Sequence, residues 1–189
     1  MKKVKTFLLC SIGIAFLATT AQLIQAGNSD KPPMPYYDEG ACPFECCTYK
    51  EWTAKAKTIL RKYHKDSAPV VGVIQSGEKV QGLTGVVITT KPGKVKILKA
   101  LTLDEDKKIS LKPGDIIYSL HYVGEGYDMF WFKGQTFVAQ TSIETDKKTE
   151  YWETLTLPEW EWWAKIRMAN GKIGWTRQLD NFDHIDACE

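Results

Sequence analysis

The residues with the most distinctive chemistry in this chain are four cysteines, Cys42, Cys46, Cys47 and Cys188, with a fifth, Cys10, near the start. An even set of cysteines in an oxidising compartment forms a disulfide framework. Four thiols can pair in three ways, and a bond between the neighbours Cys46 and Cys47 is strained. Both other schemes send Cys188 back to Cys46 or Cys47, so the end of the chain is expected to be tied to the start of its folded part. The competing chemistry is a thiol–disulfide or metal-handling centre built from Cys42, Cys46 and Cys47 with His184 or Cys188. The C-x-x-x-C-C spacing is not that of a zinc knuckle, and oxidising surroundings disfavour free thiolates. The sequence therefore predicts disulfides, with no metal and no cofactor.

Catalytic constellations are hard to assemble. The histidines are His64, His121 and His184, none of them in a metalloprotease or hydrolase motif, and no G-x-S-x-G occurs. Cysteine–histidine catalysis needs a reduced thiol beside an imidazole, and the cysteine near His184 is one expected to be bonded. Glu125, Asp128, Glu159 and Glu161 are acids beside aromatics, as in a carbohydrate cleft, but that pairing is also common on a solvated strand face. Gly124-Glu125-Gly126 reads as a turn, since no helix or lysine follows at the spacing of a phosphate loop. No catalytic residue is assigned, and the reading is non-enzymatic.

Aromatics carry the binding chemistry instead. Tyr122, Tyr127, Phe130, Trp131, Trp160, Trp162 and Trp163 offer flat apolar surface with a polar handle, which suits peptides and sugars. Many of them will simply fill a core. In an alternating strand Trp162 and Trp163 face opposite ways, so one is expected inside and the other is the better ligand contact.

Short strands must position these groups. Val70–Ile74, Val86–Thr90, Val95–Leu103, Ile109–Leu111, Ile116–Val123, Tyr127–Phe132 and Gln135–Thr141 are β-branched or aromatic runs separated by glycine turns. Glu51–Lys65 fits both an amphipathic helix and a strand, and the glycine-punctuated β-branched runs that follow favour strand. Residues 142–158 read as a long surface loop. Asn170-Gly171 lies between Trp162–Arg167 and Ile173–Thr176, a strong hairpin signal. A faint repeat aligns Ile74–Leu83 with Leu111–Leu120, each a strand, a glycine-acid turn and a second strand. The class is all-β, a small barrel or sandwich.

The N-terminus supplies the compartment. Lys2, Lys3 and Lys5 precede an apolar run from Phe7 to Ala18, and a small-residue site ends at Ala26. That is the layout of a cleaved secretory signal, residues 1–26, too short for a membrane span. Cys10 sits near the start of the apolar run, where a lipid-accepting cysteine does not belong. Cleavage leaves 22 basic against 23 acidic side chains. A near-neutral chain lacks the basic surface of a nucleic-acid binder. Residues 27–41, with Pro32, Pro33 and Pro35, read as a flexible tail.

Two segments resemble bacterial SH3-like (SH3b) domains. Val70–Val80 is similar to that family's strand, loop and G-E-x-V turn. Trp163-Ala164-Lys165-Ile166 followed by Gly171-Lys172-Ile173-Gly174-Trp175 is similar to its closing W-x-K-V…G-x-x-G-W hairpin. Ala41–Trp52 together with Asp186-Ala187-Cys188 resembles a group of exported bacterial proteins built on this domain. The resemblance spans roughly residues 42–188. It implies SH3-like β-barrels, one over residues 42–103 and one over 104–189 with the insert 142–158, or else one elaborated barrel. It also implies a periplasmic or secreted binding module that holds a peptidoglycan peptide or an envelope protein.

Overall fold

Alternation of buried and exposed side chains runs through most elements of the computed structural model, which describes residues 30–103 and 108–188. The first strands are β1 (Tyr36–Glu39), β2 (Glu51–Ala54), β3 (Thr58–Arg61), β4 (Val70–Ile74) and β5 (Lys79–Lys91). Next come β6 (Lys94–Ile97), β7 (Leu101–Leu103), β8 (Ile109–Leu111), β9 (Ile116–Gly124), β10 (Tyr127–Phe132), β11 (Gln135–Gln140) and β12 (Trp152–Thr156). The chain closes with β13 (Glu159–Met168), β14 (Ile173–Thr176), one 3-10 turn at Leu179–Asn181 and β15 (Phe182–Asp183). No α-helix occurs among the described residues, so the all-β expectation holds. The ambiguous 51–65 segment gives two strands, because Trp52, Ala54, Thr58 and Leu60 are buried at a spacing of two.

The strands form curled antiparallel sheets. The larger runs β15-β2-β5-β13-β14-β3-β4, with β1 also paired to β5. The smaller runs β11-β10-β9-β6-β12, with the β7-β8 hairpin beside it. This order corrects the expected division at residue 103. Strands β13–β15 return to β2, β3 and β5, so β6–β12 form a unit inserted within the chain of the larger sheet. The physical reason is the length of β5: it offers partners to β13 from Val80 to Lys91, a ladder no nearer segment fills.

Two further expectations change. The segment 27–41 was expected to be a flexible tail, but Tyr36–Glu39 pairs with Val86–Thr89 of β5. The prolines, which lack a donor N–H, all precede the strand. In the expected surface loop 142–158, Ile143 is buried and β12 pairs with β6, which gives Ile143 and Trp152 an apolar cluster to pack on.

The faint repeat has a structural meaning. In both copies a short strand turns through a glycine of positive φ, Gly77 (84°) and Gly114 (93°), into the long strand of its sheet. The turns close alike, with Glu78 N donating to Gln75 O and Asp115 N donating to Lys112 O.

Each unit has its own core. Trp52, Leu60, Ile74, Ile166 and Phe182 anchor the larger, and Ile97, Leu111, Ile117, Phe130 and Phe137 the smaller. A third cluster, Val86, Ile88 and Trp163 with Trp175 against it, lies on the other face of the larger sheet. The N-terminal segment joins the units: β1 pairs with β5, the Tyr36 hydroxyl bonds Thr136, and Asp38 Oδ2 lies 3.0 Å from Nε2 of buried His121. Asp38's charge, after burial, also raises the Tyr36 phenol above its ordinary range.

Candidate functional site

The cysteines pair as Cys42–Cys47 and Cys46–Cys188, which brings the end of the chain to its start. Around them, the Trp162 indole donates to the Tyr49 hydroxyl at 3.1 Å, and that hydroxyl donates to the Ala41 carbonyl. Burial pushes the Tyr49 phenol up to about 12, so it stays a neutral donor. The Phe44 ring meets Trp162 edge-on at 5.5 Å. Gly85 is required here, because a Cβ at that position would collide with the Tyr49 hydroxyl and the Trp162 indole. Trp162, a candidate ligand contact, is thus committed to holding the cysteine loop.

The remaining aromatic candidates divide between the sheets. Tyr122, Tyr127 and Trp131 belong to the smaller one, and Phe130 is buried there against Phe137 at 5.4 Å. The Tyr122 hydroxyl accepts from Gly126 N, and Tyr127 is exposed. Trp160 is half-buried, its ring 6.1 Å from His121. The acids are occupied separately. Glu159 pairs with Lys91 and Glu161 with Arg177, while Glu125 sits in the β9–β10 turn.

Asp128 is buried and accepts from the Thr141 hydroxyl (2.8 Å) and from Ile143 N (3.3 Å). Burial pushes its carboxyl above the usual range; those hydrogen bonds partly offset the rise and the charge of Glu144 adds to it. A carboxyl raised in the fold contributes stability that is full below its unfolded pKa and is lost as pH rises through its folded pKa. Asp128→Asn keeps an acceptor for both donors and carries no charge. Its stability relative to wild type should therefore improve from about pH 4 to pH 7. Urea midpoints of both proteins at each pH provide the check, and an unchanged difference would refute the assignment.

The most developed surface lies on the outer face of β13 and β14, where cross-strand register sets Lys165 opposite Trp175. Trp163 and Arg177 lie two residues further along, on the same face. Alternation places Trp163 on the outer face, yet it is 1% exposed, packed with Val86, Ile88 and Trp175 and with Arg177 beside its ring. The loop from Lys62 to Pro69 borders the same site through Asp66. Side-chain contacts tie that loop down. The His64 ring meets Trp175 edge-on at 5.2 Å and Tyr37 at 5.9 Å. Arg61 Nη1 donates to the Ala68 carbonyl at 3.0 Å. Arg177 grips Asp66 with Nε and Nη2 and reaches Glu161 with Nη1, while its guanidinium lies 5.9 Å from the Trp163 ring centre.

Beside this clasp is a cavity of about 180 Å³ lined by Ile59, Arg61, Asp66, Trp163, Thr176, Arg177 and Gln178. The Trp163 indole N–H is buried without an acceptor. Of these groups the sequence reading singled out only Trp163 as a ligand contact. Trp-Thr-Arg at 175–177 did carry a signal, since alternation puts Trp175 and Arg177 on one face. Nothing local announced Asp66 as their partner, 111 residues away.

The two disulfides, and the absence among the described residues of any helix long and apolar enough to cross a membrane, are compatible with an extracellular or periplasmic protein. The expected signal segment, 1–26, lies outside the described residues. Comparison with family models, curated proteins and solved structures found no match to this chain.

Proposed function

We propose that the protein is a non-enzymatic, exported binding module of the SH3-like class that holds a cell-wall peptide, or failing that an envelope protein, through aromatics on its larger sheet. The observation that carries this reading is the row of rings Tyr37, His64 and Trp175 on the larger sheet, near a cavity lined by Trp163 and the charged Arg61, Asp66 and Arg177. Aromatic rings edged by charge suit a peptide, whose backbone is polar and whose side chains are apolar.

Purified peptidoglycan sacculi provide the test. Wild-type protein should be retained, and Trp175→Ala and Tyr37→Ala should each weaken retention by about tenfold, equivalent to about 1.4 kcal/mol. Both side chains have exposed area, so these variants should keep the fold, which circular dichroism verifies. Wild-type protein that flows through would overturn the wall-peptide reading. The thiol-exchange and metal-handling alternative makes a different prediction, at least two free thiols in the mature, non-reduced protein. With all four mature cysteines bonded as in the structure, the expected count is zero.

A further inference from the structure

We infer that Asp66 acts as an internal stand-in for a ligand carboxylate on Arg177, and that the adjoining cavity takes the C-terminal carboxylate of a short peptide. This deepens the proposed function and depends on it only for where the peptide comes from.

The geometry of the clasp supports the inference. A guanidinium and a carboxylate bind most strongly as two parallel hydrogen bonds, the arrangement Arg177 makes with Asp66. The two carboxylates on Arg177 are held differently. Glu161 belongs to β13 and is paired there with Ile88 of β5, so its backbone stays in place. Asp66 rides on a loop, its side chain is 58% exposed, and that of Arg177 is 47% exposed. With both groups about half exposed, water and salt screen the pair, so a second carboxylate of the same geometry can compete for the fork. Arg61, which already uses Nη1 to hold the loop at Ala68, lines the same cavity and adds a second positive charge.

The unsatisfied indole supplies an independent observation. Trp163 lines this cavity, and its buried N–H meets no acceptor. A buried donor without a partner is costly, and native structures keep few of them. A peptide carboxylate that displaces Asp66 brings backbone carbonyls with it, and one of these can accept from Trp163 once the loop has moved. Displacement would also free the Trp175 ring from His64, giving the peptide's side chains apolar surface. Binding and loop release are then one event, limited by how firmly Asp66 competes.

The test titrates full-length mature protein with N-acetyl-dialanine as the free acid and as the C-terminal amide, each in the D,D and L,L forms. The readouts are the Arg177 Nε–H and Trp163 Nε1–H NMR signals. The acid should shift both, with the amide at least tenfold weaker. Asp66→Asn should tighten binding of the acid two- to fivefold by removing the competitor. Arg177→Gln should abolish it, and Arg177→Lys, which keeps charge but not the fork, should recover only part. Equal response to acid and amide, no shift at Arg177, or weakening by Asp66→Asn would overturn the inference. A D,D preference identifies a wall peptide as the source, and an L,L preference a protein C-terminus. Sacculus retention with no distinction of acid from amide refutes this inference alone. Acid binding with no sacculus retention refutes the wall-peptide reading alone.

Discussion

Replacing Cys46 and Cys188 together by serine is expected to lower the thermal midpoint by roughly 10–20 °C. The bond spans 142 residues of chain, and closing a loop of that length stabilises by about 5 kcal/mol in the chain-entropy model. It also fixes a set of backbone contacts. Ala187 N donates to Cys46 O at 2.8 Å, Thr48 N donates to Ile185 O at 3.0 Å, and Cys47 bridges to Asp186. Without the bond, the last residues can fray from the cysteine loop. The serine pair at Cys42 and Cys47 is the comparison. Its loop is only five residues apart in sequence, so its loss should cost about 2 kcal/mol. Scanning calorimetry of both double variants decides the matter; a larger loss from the short loop would contradict the account.

Trp52→Ala should cost about 3–5 kcal/mol, read as a fall in the urea midpoint. Trp52 is fully buried in the larger core, with Tyr49 at 5.8 Å and Phe182 at 5.6 Å. Its indole donates to the Thr48 carbonyl at 3.0 Å. Gly82 lies flat against its ring, and a Cβ there would approach to 2.8 Å, so the neighbouring backbone is already in contact. A void left by alanine has little from which to fill. Trp52→Phe should recover much of the loss by restoring volume, though not the hydrogen bond. Trp175→Ala, on the half-buried outer face, should cost far less. A cost for Trp52→Ala below about 1 kcal/mol would place the core elsewhere.

The features legible in the sequence were those governed by local geometry or covalent constraint. A side-chain period of two revealed the strands and placed Trp162 and Trp163 on opposite faces. Elimination among three pairings tied Cys188 to Cys46 or Cys47, and the structure selects Cys46. The features that were hidden depend on distant partners. Pro32, Pro33 and Pro35 obscured β1, because its strand forms only where β5 offers an open edge. The insertion of β6–β12 was invisible because β5 prefers β13, and no local signal reports that choice. Alternation set Trp162 and Trp163 on opposite faces without saying which faced out, and it could not show that Trp163 is buried beside the Asp66–Arg177 pair. The candidate site was therefore half readable: its aromatic floor lay in one strand, and the charged clasp was divided between chain segments far apart.

The nested order of the sheets also shapes how the chain assembles. A polypeptide emerges from the ribosome with its amino end leading, so Val86, Val87 and Ile88 of β5 are made long before their partners Glu161–Trp163. During that interval a long apolar edge stands open, the kind of surface that invites pairing with other copies. The intervening segment, with its own core, can fold during the wait. Productive maturation thus favours conditions that keep β5 shielded until the carboxyl end arrives, and holdase chaperones should raise the yield of correctly bonded protein.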